Sequence, residues 1–516
     1  MQQKILILII LAYLINGIFS INNLSITFDE QTHLSFGERM LKGLPGRLSP
    51  EKDNSKMPIS ALNALPRAAE QIVNPGLQKS DNGAVDIFNG RYITLLFSVL
   101  TILLVFKWSC KLYGANAGLF SAFLFSMCPN NAASAVLVTT DSYAAFFLPA
   151  TMYCLWKYCN SKLFRDFILF AVLLALSQLA MQSLFHLYVL VPLCLFIFAL
   201  AEKQKINVKA VSLKLLLAIC ISWLLINAGF LFYKVNNTVG SFHFMSNFFI
   251  GLQQLLPAWF PLPVSQSFVE GLDQAKYYDQ LGGGLAESSF GNVTILNRSV
   301  TGGAVWYYFF VTIFFKTPVP YFFFIGFALY YLFTKEKFIS FFKNEFFLLA
   351  PVVYYLLYMG FLYRTQCGIR HIIFIYPLLF IFCGIIFKNP VSRIKLFGIA
   401  TLCLLLIIST ARYFNNYYAY TNEFVFDKKD AYKIVGASNL NFSQADGQIR
   451  TYLQQHPEVK PAPLQPQPGK FLIVVDDFLD IWNTGKYKWM NNLQPAGHVA
   501  FCYLLFDVKQ SDIGLK

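Results

Sequence analysis

The sequence predicts a mainly α, polytopic membrane protein with a small α/β region at its end, and three observations carry that reading. Of 516 residues, 56% are hydrophobic and 13% charged, against roughly 25% charged in soluble domains; the mean hydropathy is +0.50. Apolar runs recur along the chain, several near the length of about 20 residues that spans a hydrocarbon core about 30 Å thick. Basic residues gather between those runs: Lys107 and Lys111; Lys157, Lys162 and Arg165; Lys203, Lys205, Lys209 and Lys214; Lys335, Lys337 and Lys343; Lys388, Arg393 and Lys395. Acids are few in the same segments (Asp166, Glu202, Glu336, Glu345). That asymmetry marks loops held on the inner side. The net charge of +14 is therefore a topology signal, and nucleic acid is not an expected partner.

With basic loops inside, about eleven spans follow, at 4–20, 92–106, 116–133, 143–157, 166–182, 185–201, 213–233, 318–334, 346–363, 371–387 and 396–412. The N-terminus lies inside and the C-terminus outside. In the first run, Asn16 and Gly17 before Phe19-Ser20 make a poor cleavage site, so a retained helix is favoured over a signal peptide. Two long extracytoplasmic loops result, 21–90 and 234–316. The chain divides into a transmembrane domain, 1–412, and an extracytoplasmic region, 413–516. The latter has a Pro-rich linker at 461–468 and balanced charge, with strands expected at 471–475 and near 501–506.

Ten cysteines form neither a metal-ligand spacing nor a disulfide framework; Cys367 and Cys502 are the one pair that could be bridged outside the membrane. Gly282-Gly283-Gly284 lacks the strand–loop–helix context of a phosphate loop and reads as a flexible turn.

Three constellations could carry chemistry. Asp29, Glu30 and His33 follow directly on the first apolar run, where a helix leaves the bilayer. At helical spacing Asp29 and His33 share a face. The plainer reading has Thr27 or Asp29 capping an amphipathic helix over 34–41. Asp141, in Thr139-Thr140-Asp141-Ser142-Tyr143, stands at the outer start of the fourth span. An acid there is paired, used, or a cap, since at mid-membrane it costs about 2.5–3.5 kcal/mol. The third group is cationic and also outside: Arg91, Lys316, Arg364, Arg370 and His371. Snorkelling explains any one of them; several together suit a bound phosphate, which arginine forks match. Lys316-Thr317-Pro318 follows an aromatic stretch, 306–315, suited to lying flat at the interface.

In this order the blocks resemble the GT-C class of integral membrane glycosyltransferases, in the branch related to the dolichyl-phosphate-mannose–protein mannosyltransferases. Phe28-Asp29-Glu30-Gln31-Thr32-His33 followed by Gly37 looks like that family's first-loop Asp-Glu-x-x-His segment. The stretch from Met57-Pro58 to Ala64-Leu65-Pro66, Thr139-Thr140-Asp141 through Phe147, Lys316-Thr317-Pro318 and Gly368-Ile369-Arg370-His371 are similar to its later motifs. Ser438-Asn439-Leu440-Asn441-Phe442-Ser443-Gln444 is similar to a Ser-Asn-x-Asp-Trp-Gly-Gln element, and Tyr487-Lys488-Trp489 through Val508 resembles the family's C-terminal end. There are departures: Lys56-Met57 stands for an expected His-Pro, and Asn441, Phe442 and Ser443 stand for Asp, Trp and Gly.

The resemblance implies inverting transfer of a sugar, a hexose or pentose, from a polyprenyl-phosphate carrier to an acceptor hydroxyl on a glycan, lipid or protein. Asp29 would be the general base, with Glu30, His33 and Asp141 beside it. Lys316, Arg370, His371, Arg364 and Arg91 would hold the donor phosphate. The mechanism requires no cofactor, although Asp29, Glu30, Asp141 and His33 could bind a divalent metal. The expected setting is a plasma or inner membrane with the site on the extracytoplasmic face. The alternative is a transporter or flippase of lipid-linked sugars, for which an inverted repeat would be expected; the sequence has none.

Overall fold

The computed structural model describes residues 1–74, 84–203, 208–282, 292–300 and 304–513. All eleven expected spans fall on helical backbone: Gln2–Asn23, Ala84–Tyr113, Ala115–Ser126, Asp141–Ser161, Phe164–Ser177, Leu187–Ala201, Val208–Gly229, Val319–Lys335, Phe346–Phe361, Tyr376–Cys383 and Arg393–Ala411. Among the described residues, five helices are long and apolar enough to cross a bilayer alone: Gln2–Asn23, Ala84–Tyr113, Gln182–Ala201, Val211–Gly229 and Arg393–Ala411. A sixth appears if Tyr308–Lys316 and Val319–Lys335 form one broken span. The others are shorter or, like Asp141–Ser161, less apolar. Ala115–Ser126 stops because Pro129 opens a new helix, Pro129–Ala135, proline having no N–H to continue the old one.

The bundle core is aromatic, with Trp108, Tyr143, Tyr321, Tyr355 and Tyr376 fully buried. The four tyrosine hydroxyls find partners: that of Tyr321 donates to the Leu124 carbonyl at 2.6 Å, and that of Tyr143 to Asn63 Oδ1 at 2.8 Å. A buried hydroxyl without a partner would cost about 1–3 kcal/mol.

The expected loop 21–90 is largely helical. Glu30–Leu41 packs on Ser60–Val73 at a close approach through Gly37, where a Cβ would lie 2.2 Å from the Ser60 carbonyl oxygen. The second expected loop contains the helices Asn247–Leu255 and Gln266–Leu281 and an antiparallel hairpin, Val293–Ile295 with Arg298–Val300. Gly283 and Gly284 lie outside the described residues. Beyond the hairpin, Tyr308–Lys316 runs into Val319–Lys335 with a bend of 107° at Thr317-Pro318, because the residue before a proline leaves the helical region.

The C-terminal region builds a four-stranded sheet in the order Val459–Pro461, Gly469–Val474, Tyr503–Val508, Gly497–Val499. The first pair is parallel and the others antiparallel. Phe471, Ile473, Leu504 and Phe506 fill its own small core. Cys367 and Cys502 are both buried free thiols; the bridge the sequence allowed is not formed.

Candidate functional site

A hollow of about 360 Å³ collects residues from seven separate parts of the chain. Asp29 and His33 come from the helix Glu30–Leu41 and its cap, and Asp141 from the start of Asp141–Ser161. Arg370 and His371 come from the turn Ile369–His371, and Lys56 from the segment before Ser60–Val73. Tyr278 and Trp482 add walls from the second loop and the C-terminal region.

Asp29 is the centre of the charge pattern. Its Oδ2 accepts from Arg370 Nη1 at 2.7 Å, and its Oδ1 lies 4.0 Å from Lys56 Nζ. Burial works to raise its pKa, but Lys56 and then Arg370 outweigh that and hold the carboxyl well below the usual carboxylate range. Burial lowers the Lys56 ammonium, with Asp29 acting against it. His33, 3.3 Å from Ser60 Oγ through Nδ1, is driven well below its ordinary value by burial and next by Lys56, so it is neutral at pH 7. Asp141 Oδ2 accepts from the Thr139 hydroxyl at 3.0 Å.

Each of these groups is held by its own support. Lys56 follows the short helix Pro50–Asp53, which Arg39 ties down by a 2.6 Å pair with Asp53; Arg47 Nη2 donates to the Lys56 carbonyl at 3.1 Å. Before Arg370, Gly368 adopts φ +91°, and a Cβ there would come 2.7 Å from the Ser438 carbonyl. Only glycine takes that backbone without strain. The Gly368 N–H donates to the Tyr308 hydroxyl at 2.9 Å and the Ile369 N–H to Asn439 Oδ1 at 3.1 Å. The Arg370 guanidinium lies over the Phe442 ring, 4.4 Å from its centroid, a cation–π contact. Phe442 stacks in turn on Tyr418, at 5.3 Å and 8°. The tail motif is thus the platform beneath Arg370. The structure also accounts for the glycine expected at Ser443: its φ is +64°.

Four of the sequence-derived candidates sit elsewhere. Glu30 and Arg91 are both fully buried and consume one another. Arg91 Nε donates to Glu30 Oε1 at 2.8 Å and Nη2 to Oε2 at 2.6 Å. The remaining Arg91 N–H groups go to the carbonyls of Ile21, Leu24 and Ser25. Glu30 also accepts from the Thr27 N–H and hydroxyl and from the Val138 N–H. This pair clamps the first helix to the second span; neither partner lines the hollow. Lys316 is buried outside it, its ammonium donating to the Tyr418 carbonyl at 2.6 Å and to the Asn439 carbonyl. Arg364 is exposed, and its main-chain N–H donates to Asp279 Oδ1 at 2.6 Å. His371 does line the hollow, its Nδ1 3.0 Å from the Tyr363 hydroxyl.

Lys56 is the residue that sequence reasoning passed over. It was visible as a substitution in a motif, and nothing in one sequence says that the new cation points at Asp29. Among the described residues no three His, Cys, Asp or Glu side chains converge as a metal-ligand set; Glu30, once a candidate ligand, is turned away from the others.

Comparison with known proteins agrees with this architecture. Residues 83–226 match the family model described as dolichyl-phosphate-mannose-protein mannosyltransferase. The fold is similar to that of ArnT from Cupriavidus metallidurans in a crystal structure bound to undecaprenyl phosphate. The TM-score is 0.51 at 10% identity, covering 99% of both chains. The chain has the GT-C fold. It is also similar to the Archaeoglobus fulgidus oligosaccharyltransferase in its apo form, with TM-score 0.51 and 12% identity, covering 90% of this chain and 60% of that one. No curated protein sequence matches the chain. Within this GT-C frame, the protein is a multi-pass membrane protein whose segment 83–226 is related to the protein mannosyltransferases.

Proposed function

We propose that the protein transfers a sugar from a polyprenyl-phosphate donor to an acceptor hydroxyl, with inversion, in the hollow around Asp29 and on the extracytoplasmic face. One observation carries this: a partly buried carboxylate held between two cations, Lys56 and Arg370, in a GT-C fold. The crystal structure of ArnT with undecaprenyl phosphate makes a lipid-borne phosphate the natural ligand class. Lys56 and Arg370 would take the donor phosphate, with His371 beside it. The leaving group is already stable as an anion, so countercharge serves it better than a strong acid.

The same cations explain how Asp29 becomes a base. While they face it, its proton affinity is too low for efficient proton transfer. The donor's phosphodiester, a monoanion, competes for both, and as they turn to it the Asp29 pKa rises. Asp29 then takes the proton of the acceptor hydroxyl as that oxygen attacks the anomeric carbon and the C–O bond to phosphate breaks. Asp141, which also lines the hollow, would orient the acceptor's hydroxyls.

The test is Asp29→Asn in purified protein, assayed with a labelled polyprenyl-phosphate sugar. Donor binding should persist and turnover fall by about 10²–10⁴-fold, the usual worth of a general base. Undiminished transfer overturns the base assignment. Movement of labelled carrier across liposomes without sugar transfer overturns the enzymatic reading.

A further inference from the structure

Beyond the helix Val208–Gly229, from Lys234 to Glu270, the intervening chain carries no Lys, Arg, Asp or Glu. It folds back on itself. The Val239 and Gly240 N–H groups donate to the Phe260 and Ala258 carbonyls at 2.9 and 2.8 Å, and the Leu262 N–H to the Asn237 carbonyl at 3.0 Å. The helix Asn247–Leu255 forms the tip, and Gln253 Nε2 donates inward to the Val239 and Phe242 carbonyls at 2.8 and 2.9 Å. Pro257, Pro261 and Pro263 have no N–H to satisfy.

Polar groups are thus turned inward and apolar ones outward. No residue of Asn247–Leu255 is buried. Phe248, Leu252 and Leu255 share one face by helical spacing. With Trp259 and Phe260 they are exposed, Leu255 at 80% and Trp259 at 74%. A contiguous apolar face of this kind marks a partner, and backbone groups satisfied from within let that partner be lipid.

The preceding span fixes the depth. The exposed Trp223 donates its indole N–H to the Pro263 carbonyl, which Asn227 Nδ2 also reaches at 3.1 Å. Both donors lie in the last turns of Val208–Gly229, no more than about 9 Å from its end. The base of the hairpin is therefore level with the end of a helix able to cross the bilayer. Leu224, Leu231 and Phe232, also exposed, make the lipid-facing side of that span continuous with the apolar face. On the other side, Asp273 accepts from the Met245 and Ser246 N–H groups at 2.8 and 2.9 Å. Its helix, Gln266–Leu281, carries Glu270, Lys276 and Asp279 as well and is too polar to cross a membrane. That helix ends at the hollow, which Ala275, Tyr278 and Leu281 line.

We infer that residues 242–263 are an in-plane anchor inserted in the leaflet on the hollow's side, with Phe248, Leu255 and Trp259 among the upper parts of the acyl chains, about 5–10 Å below the headgroups. The inference rests on the membrane fold and stands whether or not the hollow transfers sugar.

The test is fluorescence of the full chain in phosphatidylcholine nanodiscs. Trp259→Phe changes a ring exposed at 74% and leaves the fold intact, so the emission it removes is that of Trp259. Most of that emission should be lost when the lipid is replaced by phosphatidylcholine brominated near the headgroup end of its chains, and aqueous iodide should leave it unchanged. Quenching by iodide with no effect of brominated lipid places the face in water and overturns the inference. Resistance to both quenchers, as when a second copy of the chain covers the face, overturns it too.

Discussion

Arg370 and Asp29 form the contact on which pH dependence turns. An acid whose folded pKa is depressed contributes stability above its unfolded value, about 3.9, and loses it as pH falls through the folded value. With Asp29 held well below the usual range, the free protein's kcat/KM should show no acid limb from Asp29 above about pH 4. Arg370→Met removes a 2.7 Å partner, so an acid limb should appear 1–3 units higher, by the ordinary effect of one adjacent cation on a carboxyl (about 1–3 units). A pH–rate profile of the two proteins measures the displacement. Glu30 behaves otherwise. Glu30→Ala strands the Arg91 guanidinium, buried at 0% exposure, and should destabilise the protein by about 3–5 kcal/mol, read as a lowered thermal midpoint in detergent. The expectation that Arg91 holds phosphate failed for a reason visible only in space. Its position at the outer end of a span is compatible with a cavity or with a neighbour, and the sequence does not say that Glu30 stands opposite.

At the scale of elements, the approach of Glu30–Leu41 to Ser60–Val73 sets where Asp29 and His33 point. Gly37→Ala would place a methyl against the Ser60 carbonyl, main chain that has no rotamer to yield. Overpacking of this kind costs about 1–3 kcal/mol, and because it displaces the carboxylate it should lower kcat by more than it alters donor affinity. Single-turnover kinetics beside a donor-binding isotherm separates the two effects. Helix positions were legible because apolar runs and basic loops act locally. The strands were found within a few residues for a similar reason, Phe471 and Phe506 lying in short apolar stretches between turn-formers. The helices inside 21–90 and 234–316 were largely illegible: their apolar faces are small, and they exist by packing on the bundle. Asp29, His33, Asp141, Arg370 and His371 reached the hollow as expected, each being tied to a short motif. Lys56 reached it through a fold that no motif recorded.

Taken whole, the molecule does not divide cleanly at 412. Lys316, in the transmembrane part, gives its ammonium to the carbonyls of Tyr418 and Asn439; the Ser25 N–H donates to the Gln444 carbonyl at 3.0 Å; and Trp482 lines the hollow. A chain ended after Arg412 would leave Lys316 buried with its acceptors gone, a cost of several kcal/mol. Such a truncation should be recovered only as aggregate in size-exclusion chromatography, whereas a merely appended domain would leave a monodisperse remainder.

The 107° bend at Thr317-Pro318 lays a short aromatic helix across the bundle, with Trp306, Phe310 and Phe314 turned outward. Trp306 and Tyr307, just before it, are the ring types that settle at headgroup depth, so this helix works as a float. It fixes the protein's waterline and, on the proposed function, the height at which a carrier lipid would meet Arg370. Lipids a few carbons longer or shorter would shift that draught, and turnover would respond to bilayer thickness with every residue of the hollow unchanged.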